Sequence, residues 1–264
     1  MESITSVRNP RIRSAAALSR RRERRATGRH LVEGRNAVGE ALAEGLVEEV
    51  FVTADLADDV PVPHDVPVHV VPDHVLERLA DAATPQGIVA VARTRSATLD
   101  VVVGEGLLVV LHEVADPGNA GTIIRTADAA GAAGVVLTAG SVDPFGPKTV
   151  RAAVGSTYHL PLVVDVDLAD VAAACRAAGQ PLLGLDAHGE RSVFDLAAAT
   201  PPLALLLGNE AHGLPRDAAD ALDGVVAIPR WGRAESLNVA AAAAVAVYAA
   251  ARAVHVPGTS PGHR

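Results

Sequence analysis

The chain has 264 residues, of which 49% are hydrophobic, 2% aromatic and 20% charged, and its formal net charge is -8. This length predicts one large or two modest domains, and the composition excludes collagen-like, coiled-coil and wholly disordered proteins. A core so poor in aromatic rings must consist of Ala, Val and Leu, which favours helices packed closely against a sheet.

The charge is unevenly distributed along the chain. Residues 1–35 contain ten arginines and three glutamates, a net charge of +7, so the remaining residues carry -15. We therefore predict a basic N-terminal arm on an acidic body, a distribution typical of proteins that bind nucleic acid. A solvated helix face without a binding role would show the same run of charges, and that alternative stays open.

Cysteine content and apolar runs indicate the class of protein. Cys175 is the only cysteine, which excludes an intramolecular disulfide and a cysteine-based zinc cluster, and no metal site is expected. The N-terminus lacks the apolar segment of a signal peptide. The longest apolar run, residues 239–251, is shorter than the roughly 20 residues that a transmembrane helix needs. We expect a soluble cytoplasmic protein without a membrane partner.

The segment that follows the arm has the pattern of a small α/β module. Apolar side chains have helical spacing over residues 38–46, and a second helix is expected after Asp73 as its N-cap. Short apolar strands are expected at 50–52, 68–71 and 87–92. The polar stretch from Arg93 to Asp100 is interpreted as a linker.

Beyond the linker, continuous apolar strands alternate with helices. The strands are expected at 107–111, 135–138, 160–164, 182–185, 203–207 and 225–228, and the principal helices at 122–130, 168–177 and 237–254. Apolar runs without alternation are typical of strands that are buried on both faces, so the pattern predicts a parallel sheet in an α/β domain.

Several signatures of nucleotide and metal enzymes are absent. Gly104 and Gly106 lack the third glycine of a dinucleotide fingerprint. The segment GSVDPFGPKT has a proline before Lys148 and is not a phosphate loop, and HEVAD has Asp116 where a zinc-protease helix has its second histidine. Rossmann dehydrogenases, P-loop nucleotidases and zinc proteases of this type are excluded.

Three segments place a polar, glycine-containing loop between a strand and a helix: LHEVADPGNAGTIIRTADAAG, LALLLGNEAHGLP and VVAIPRWGRAESLNVA. Ligands of open α/β sheets bind at such loops. Asn119 and Arg125 flank a helix expected to begin near Thr122, and they can donate to an anionic or hydroxyl-bearing ligand. Gly208 permits close approach of a ligand, and Ser236 can cap the Ala-rich helix. Ordinary turns and caps would explain each segment equally well.

In this order, the three segments closely resemble the signature motifs of the SpoU/TrmH family of SPOUT-class RNA methyltransferases. The matching stretches are NAGTIIRTA, LGNEAHGL and IPRWGRAESLNVA. Upstream, ITSVRNPRIRSAAALSRRRERRATGRHLVEG and ATPQGIVAVAR are similar to the substrate-binding module of the family's ribosomal-RNA branch. The resemblance covers roughly residues 3–254.

The resemblance implies an α/β fold in two parts. The C-terminal part would be a SPOUT-type parallel sheet flanked by helices, with a trefoil knot, and the N-terminal part a smaller α/β domain that resembles an RNA-binding ribosomal protein. The expected divisions are a basic arm 1–28, an RNA substrate-binding domain 29–95, a linker 96–105, a SPOUT methyltransferase domain 106–256 and a disordered tail 257–264.

The resemblance also implies site residues, a cofactor and partners. The cofactor is S-adenosylmethionine, and the partners are RNA, ribosomal RNA in particular, and a second copy of the chain in a homodimer. Cofactor-binding residues are expected at Gly208, Asn209, Ile228, Pro229, Leu237 and Asn238. Catalytic residues are expected at Asn119, Arg125, Glu210, Ser236 and Asn238. RNA-binding residues are expected at Arg8, Arg11, Arg20, Arg21, Arg22, Arg24, Arg25 and Arg125.

The implied reaction is methyl transfer to a ribose 2'-hydroxyl, with 23S ribosomal RNA as the expected target. Transfer RNA as target, an enzyme that modifies the ribosome against an antibiotic, and a catalytically silent ribosome-assembly factor stay open as alternatives. Because a guanidinium stays protonated, Arg125 is interpreted as an electrostatic stabiliser, whereas Glu210 is the more ordinary proton acceptor.

The scarcity of aromatic residues bears on RNA recognition. With one Trp, two Tyr and three Phe in the chain, base stacking is expected to contribute little, and recognition is expected to rest on RNA shape and phosphate contacts. Trp231 is expected to pack at the cofactor loop or at a dimer interface.

Overall fold

The computed structural model describes residues 2–198, 202–209, 212–214 and 220–255. The chain divides into two compact units. The first consists of residues up to Arg95 together with Asp143–Tyr158, and the second of Ser96–Val142 and the residues from His159 onward. The predicted tail 257–264 lies outside the described residues. None of the helices in the described ranges is long and apolar enough to cross a membrane.

The first unit is built on a mixed sheet. Its five strands lie in the order β1-β4-β3-β5-β2. The strands β1 and β3 pair parallel with β4, and β5 pairs antiparallel with β3 and β2. The elements are β1 (Glu2–Ser3), α1 (Pro10–Ala17), α2 (Arg21–Thr27), β2 (Arg29–Glu33), α3 (Arg35–Ala43), β3 (Val47–Val52), β4 (Val68–Val70), α4 (Asp73–Leu76) and β5 (Ile88–Arg93). Two further helices, α7 (Pro147–Ala153) and α8 (Ser156–His159), are formed by the later segment.

Both faces of this sheet are covered. Val89 and Val91 of β5 pack in one apolar cluster with Ile12 of α1 and Val75 of α4. The alternate residues of β5, Ile88 among them, pack on the opposite face with α3 and with residues of the later segment. This alternation is the two-residue period of a strand that is buried on both sides.

Residues 2–28, which we predicted to be an arm, are integrated in the first unit. Asn9 caps α1, and Ile12, Ala15 and Leu18 are buried in the core. With the exception of Arg24, the arginines of α1 and α2 are exposed, whereas apolar residues of α1 pack in the core. The structure thus differs from the expected arm, since this segment contributes to the core.

A histidine and a tyrosine contact each other in the interior of the first unit. The Nε2 atom of His30 lies 3.0 Å from the hydroxyl of Tyr158, and both side chains are buried. Burial lowers the pKa of His30 to about 4, an effect that nearby Asp143 partly opposes and Arg24 reinforces. Burial also raises the pKa of the Tyr158 hydroxyl above its ordinary value. Both groups are therefore neutral at pH 7.

The second unit is a parallel α/β domain, as predicted. Its seven strands lie in the order β10-β12-β9-β11-β6-β7-β8, and all of the pairs are parallel. The strands are β6 (Leu107–Leu111), β7 (Gly134–Thr138), β8 (Leu162–Val166), β9 (Leu182–Leu185), β10 (Arg191–Ser192), β11 (Leu203–Leu207) and β12 (Gly224–Ala227). The helices are α5 (Leu99–Val102), α6 (Pro117–Ala129), α9 (Leu168–Ala177) and α10 (Val239–His255), with a 3-10 turn at Val193–Ala198.

Helices cover this sheet in two layers. Val171 and Cys175 of α9 pack with Val102 of α5 against β6, β9 and β11. On the other side, α10 contacts α6, β6 and β11. The expected linker 96–105 differs from the structure, because Val102 is fully buried in this core.

The strand order determines where the ligand loops meet. Strand β11 lies between β6 and β9, and β12 lies beside β9. All of these strands are parallel, so their carboxyl ends reach the same edge of the sheet, where ligands of open α/β sheets bind.

Candidate active site

A cavity of about 260 Å³ lies in the second unit at the carboxyl ends of β9, β11 and β12. Its apolar walls come from Leu185, Leu207, Ile228, Leu237 and Val239. The structure brings together five of the sequence-predicted site residues here: Gly208, Asn209, Ile228, Ser236 and Leu237. Pro229 does not belong to the cavity wall, although it follows Ile228 in the same loop.

The loop after β11 is folded tightly over Gly208. The backbone N–H of Asn209 donates to the carbonyl of Gly213 at 3.0 Å, and the N–H of Gly213 donates back at 2.9 Å. A Cβ atom on Gly208 would lie 2.2 Å from the Gly213 carbonyl oxygen. Position 208 therefore excludes every side chain, because backbone crosses directly above it.

Asn209 joins two of the three motif loops. Its side-chain amide donates to the carbonyl of Glu113 at 2.8 Å. Glu113 follows β6 and has a φ of 55°, a left-handed conformation that is unusual for a residue with a side chain. The hydrogen bond thus fixes the loop after β11 against the loop after β6.

Asn238 and Asn119 bring the first and third motifs into contact. The Asn238 Nδ2 group donates to Oδ1 of Asn119 at 3.2 Å. Asn119 lies in the first turn of α6, whose N-cap is Asp116, so the helix begins five residues before the predicted Thr122.

The cap of α10 differs from the prediction. We expected Ser236 to cap this helix, but Oδ1 of Asn238 accepts from the backbone N–H groups of Ala240 and Ala241 at 2.9 and 3.3 Å. Because the helix begins at Val239, only Asn238 is placed to reach these donors. Ser236 lines the cavity instead.

The remaining predicted catalytic residues lie elsewhere. Arg125 is exposed on α6, six residues beyond Asn119, and does not line the cavity. Within the described ranges, the side chain of Arg125 makes no hydrogen bond or ion pair. Glu210 lies outside the described residues.

Two polar residues of the cavity wall were missed by the sequence reasoning. Asp186 directly follows β9, and its Oδ1 accepts from the backbone N–H of His188 at 2.8 Å. Arg230 donates to the carbonyls of Glu235 and Ala187, the latter at 3.2 Å. Asp186 could have been predicted from the sequence, because it directly follows a continuous apolar strand. Arg230 could not, because its role depends on a partner 43 residues away.

In the first unit, the predicted RNA-binding arginines lie in different environments. Arg8, Arg11, Arg20, Arg21, Arg22 and Arg25 are exposed. Arg24 is only 7% exposed, and its guanidinium donates to Oδ2 of Asp143 at 2.6 and 2.9 Å and to the carbonyls of Leu18 and Ser19. Arg24 thus serves the interior of the unit, and we leave it out of the RNA-binding surface proposed below.

Two further arginines flank a groove of this unit, together with Arg20. A groove of about 590 Å³ runs along α1, and its rim includes Arg13, Arg20 and Arg78. Arg13 and Arg78 are exposed, and neither guanidinium has a hydrogen-bond or ion-pair partner in the part of the chain that the structure describes. Neither residue was among those predicted.

Comparison with known proteins identifies the family. Residues 106–248 match the family model of the SpoU rRNA Methylase family. The chain belongs to this family. Residues 9–90 match the model of an MRM3-like substrate binding domain. This range lies within the first unit.

Curated and solved relatives cover nearly the whole chain. A Bacillus subtilis protein named 23S rRNA (guanosine(2553)-2'-O)-methyltransferase RlmP is 34% identical over 94% of this chain and 98% of its own length. The AdoMet-bound rRNA methyltransferase from Sinorhizobium meliloti has a TM-score of 0.85 at 32% identity, with 95% and 97% of the two chains covered. AviRb from Streptomyces viridochromogenes, solved with AdoMet, has a TM-score of 0.82 at 32% identity, with 93% and 98% covered. The resemblance inferred from the three motifs is confirmed.

Proposed function

We propose that the protein transfers a methyl group from S-adenosylmethionine to a ribose 2'-hydroxyl of 23S ribosomal RNA. The observation that carries this proposal is the cavity in which Gly208, Ile228, Ser236 and Leu237 meet, beside the hydrogen bond between Asn119 and Asn238. The Bacillus subtilis relative, named as a 23S rRNA 2'-O-methyltransferase, and the Sinorhizobium meliloti relative, named as an rRNA methyltransferase, support the same activity.

The cavity has the chemistry that S-adenosylmethionine requires. Its apolar wall suits the adenine ring, and Leu237, which lies in that wall, is 46% exposed and can pack against the ring. The Asp186 carboxylate suits a cationic part of the cofactor, and the tight fold over Gly208 brings backbone polar groups to the cavity rim. When bound, the cofactor supplies an electrophilic methyl group on a sulfonium centre.

The residues of this chain would position and activate the hydroxyl. A ribose hydroxyl must lose its proton during attack, so groups that stabilise negative charge on its oxygen accelerate the reaction. Asn238 is held by its capping bonds and fixes Asn119 in turn, which gives this edge of the site a rigid amide pair. We assign Arg125 to stabilise the developing oxyanion and a neighbouring phosphate, and Glu210 to accept a proton or orient a partner.

The first unit would bind the RNA backbone. The groove along α1 combines Arg13, Arg20 and Arg78 with exposed Ser14 and Ser19, a set of donors that suits phosphate oxygens. Arg8, Arg11, Arg21, Arg22 and Arg25 extend this positive surface. Such contacts give affinity without reading base identity.

Three further properties belong to the same proposal. We propose a homodimer, a trefoil knot at the C-terminal end of the second unit and a cytoplasmic location. The homodimer and the knot are implied by the family resemblance, and the cytoplasmic location is the expectation from the apolar pattern of the sequence.

A methyl-transfer assay tests the proposed function directly. The full chain is incubated with tritiated S-adenosylmethionine and unmodified transcripts of 23S ribosomal RNA or of transfer RNA, and the methylated ribose is mapped. We expect label in the 23S transcript, abolished by Arg125→Ala while calorimetry shows unchanged cofactor binding. Arg176→Ala, which removes an exposed arginine from α9, is the matched control. Label in transfer RNA alone, or cofactor binding without transfer to either RNA, would contradict the proposal.

A further inference from the structure

The single tryptophan of the chain lies almost fully in solvent. Trp231 is 88% exposed, although tryptophan side chains are on average highly buried. Of the two expected environments, packing at the cofactor loop is not observed, because Trp231 does not line the cavity, and the dimer interface stays a prediction. Covering the indole with a flat apolar partner would remove its surface from water, which is favourable.

The loop that carries Trp231 also forms part of the active site. This loop connects β12 to α10 and contains Arg230, Ser236 and Leu237, which line the cavity, and it ends at Asn238. If the methylated ribose approaches this cavity, as the proposed function requires, the base attached to it must be accommodated near the same loop.

Arg230 holds this loop in a defined shape. Its guanidinium donates to the carbonyl of Glu235, within the loop, and to the carbonyl of Ala187, which follows β9. The brace closes the loop around residues 231–234 and presents Trp231 outward. Preorganisation of this kind reduces the conformational entropy that a loop loses on binding.

The charge beside the indole favours nucleic acid. Arg233, two residues from Trp231, is exposed and makes no hydrogen bond or ion pair within the described ranges. An indole face for a base and a guanidinium for the adjoining phosphate form the combination with which proteins bind unstacked RNA.

We propose that Trp231 is a stacking platform for an unstacked RNA base at or next to the methylated nucleotide, with Arg233 as its phosphate contact. This inference rests on the proposed RNA methyltransferase function and adds to it a requirement for a base displaced from its helix. It replaces the expectation that the scarcity of aromatic residues makes base stacking unimportant, because one well-placed ring is sufficient for one base.

Tryptophan fluorescence of the full chain tests the proposal without a label, since Trp231 is the only tryptophan. In the free protein we expect solvent-like emission and ready quenching by acrylamide. Addition of a single-stranded 12-nucleotide oligoadenylate should quench the emission and protect it from acrylamide, whereas a 12-base-pair RNA duplex at the same charge concentration should not. Equal effects of both RNAs would overturn the proposal.

Substitution gives the second measurement. Trp231→Ala should weaken binding of the labelled single strand by about 5- to 150-fold, Trp231→Phe by less, and cofactor affinity measured by calorimetry should not change. Tyr248→Ala, which removes another exposed aromatic ring of the second unit, is the matched control and should leave RNA affinity unchanged.

The possible failures are distinguishable. If the wild-type protein methylates 23S ribosomal RNA while Trp231→Ala keeps wild-type affinity for the single strand, the stacking proposal fails and the proposed function stands. If the wild type neither binds RNA nor transfers methyl groups, the function itself fails. A third result would also overturn the proposal: Trp231 emission is protected from acrylamide without RNA, and Trp231→Ala converts a dimer to a monomer. The indole would then belong to an interface between copies of the chain.

Discussion

The side-chain amide of Asn238 donates to the amide oxygen of Asn119 across 119 residues of sequence. The same Asn238 caps α10 through its own oxygen. One side chain thus fixes the start of a helix and the orientation of a proposed catalytic residue, and the two roles can be separated by substitution.

Asn238→Asp keeps an oxygen for the cap and removes the donor for Asn119. We expect nearly unchanged stability and a large loss of methyl transfer. Asn238→Ala removes both functions and should also lower the free energy of unfolding by about 1 kcal/mol, the usual value of an N-cap. Thermal unfolding and tritium transfer measure the two effects. Equal activity of wild type and Asn238→Asp would show that the contact with Asn119 is dispensable.

Gly208→Ala should damage the cofactor site. The new Cβ would collide with the carbonyl of Gly213, so the loop after β11 must move away from the cavity. We expect at least a tenfold loss of S-adenosylmethionine affinity in calorimetry. Gly232→Ala is the control, because a Cβ there meets no atom within 4 Å. Normal cofactor affinity in Gly208→Ala would contradict the proposed binding mode.

The buried pair of Arg24 and Asp143 should be essential for the first unit. Removal of one partner leaves the other charge buried and unpaired, so Arg24→Ala should destabilise the protein by roughly 3–5 kcal/mol. Arg22→Ala, which removes an exposed arginine from the same helix, should have little effect. Denaturant unfolding measures both. The double variant Arg24→Met with Asp143→Leu should recover part of the lost free energy of unfolding. If the losses of the two single variants simply add in the double variant, the two side chains are not directly coupled.

The free energy of unfolding should decrease as the pH is lowered below the ordinary pKa of histidine, in part because of His30. The pKa of His30 is about 4 in the folded protein and 6.5 when exposed, so between these values the unfolded state binds a proton that the folded state lacks. Its contribution, roughly 3 kcal/mol, is complete above pH 6.5 and is lost as pH falls to about 4. In His30→Gln, the slope of unfolding free energy over this range should be smaller. His74→Gln, at an exposed position, should retain the wild-type slope.

The groove along α1 should determine the salt dependence of RNA binding. Deletion of residues 1–28 would remove core side chains, so single substitutions are the suitable test. Arg13→Gln and Arg78→Gln should each reduce the slope of log K against log salt by about 0.7–0.9. Arg29→Gln, which removes an arginine paired with Glu48 in the same unit, is the charge-matched control. Identical slopes in all three variants would exclude the groove as the phosphate contact.

The local pattern of the sequence was sufficient for much of the fold. Continuous apolar runs identified β6, β9 and β11 to the residue, and Leu168–Ala177 was predicted as a helix with its observed ends. These strands are buried on both faces and the helix is strongly periodic, so the pattern of apolar residues by itself indicates the type of element and its ends. The polar residues of the three motif loops could likewise be identified from the sequence, because each loop directly follows an apolar strand.

Tertiary structure alone decided which of those residues meet and which are buried. The order β12-β9-β11-β6 brings three separated loops to one edge, and no local pattern encodes that order. Arg24 is interior because Asp143, 119 residues away, neutralises it, and Asn238 displaces Ser236 as the cap because α10 begins at Val239. The loop that exposes Trp231 is held through Arg230 by the carbonyl of Ala187, 43 residues away. Burial and exposure of these side chains depend on partners distant in sequence, so only the folded chain determines them.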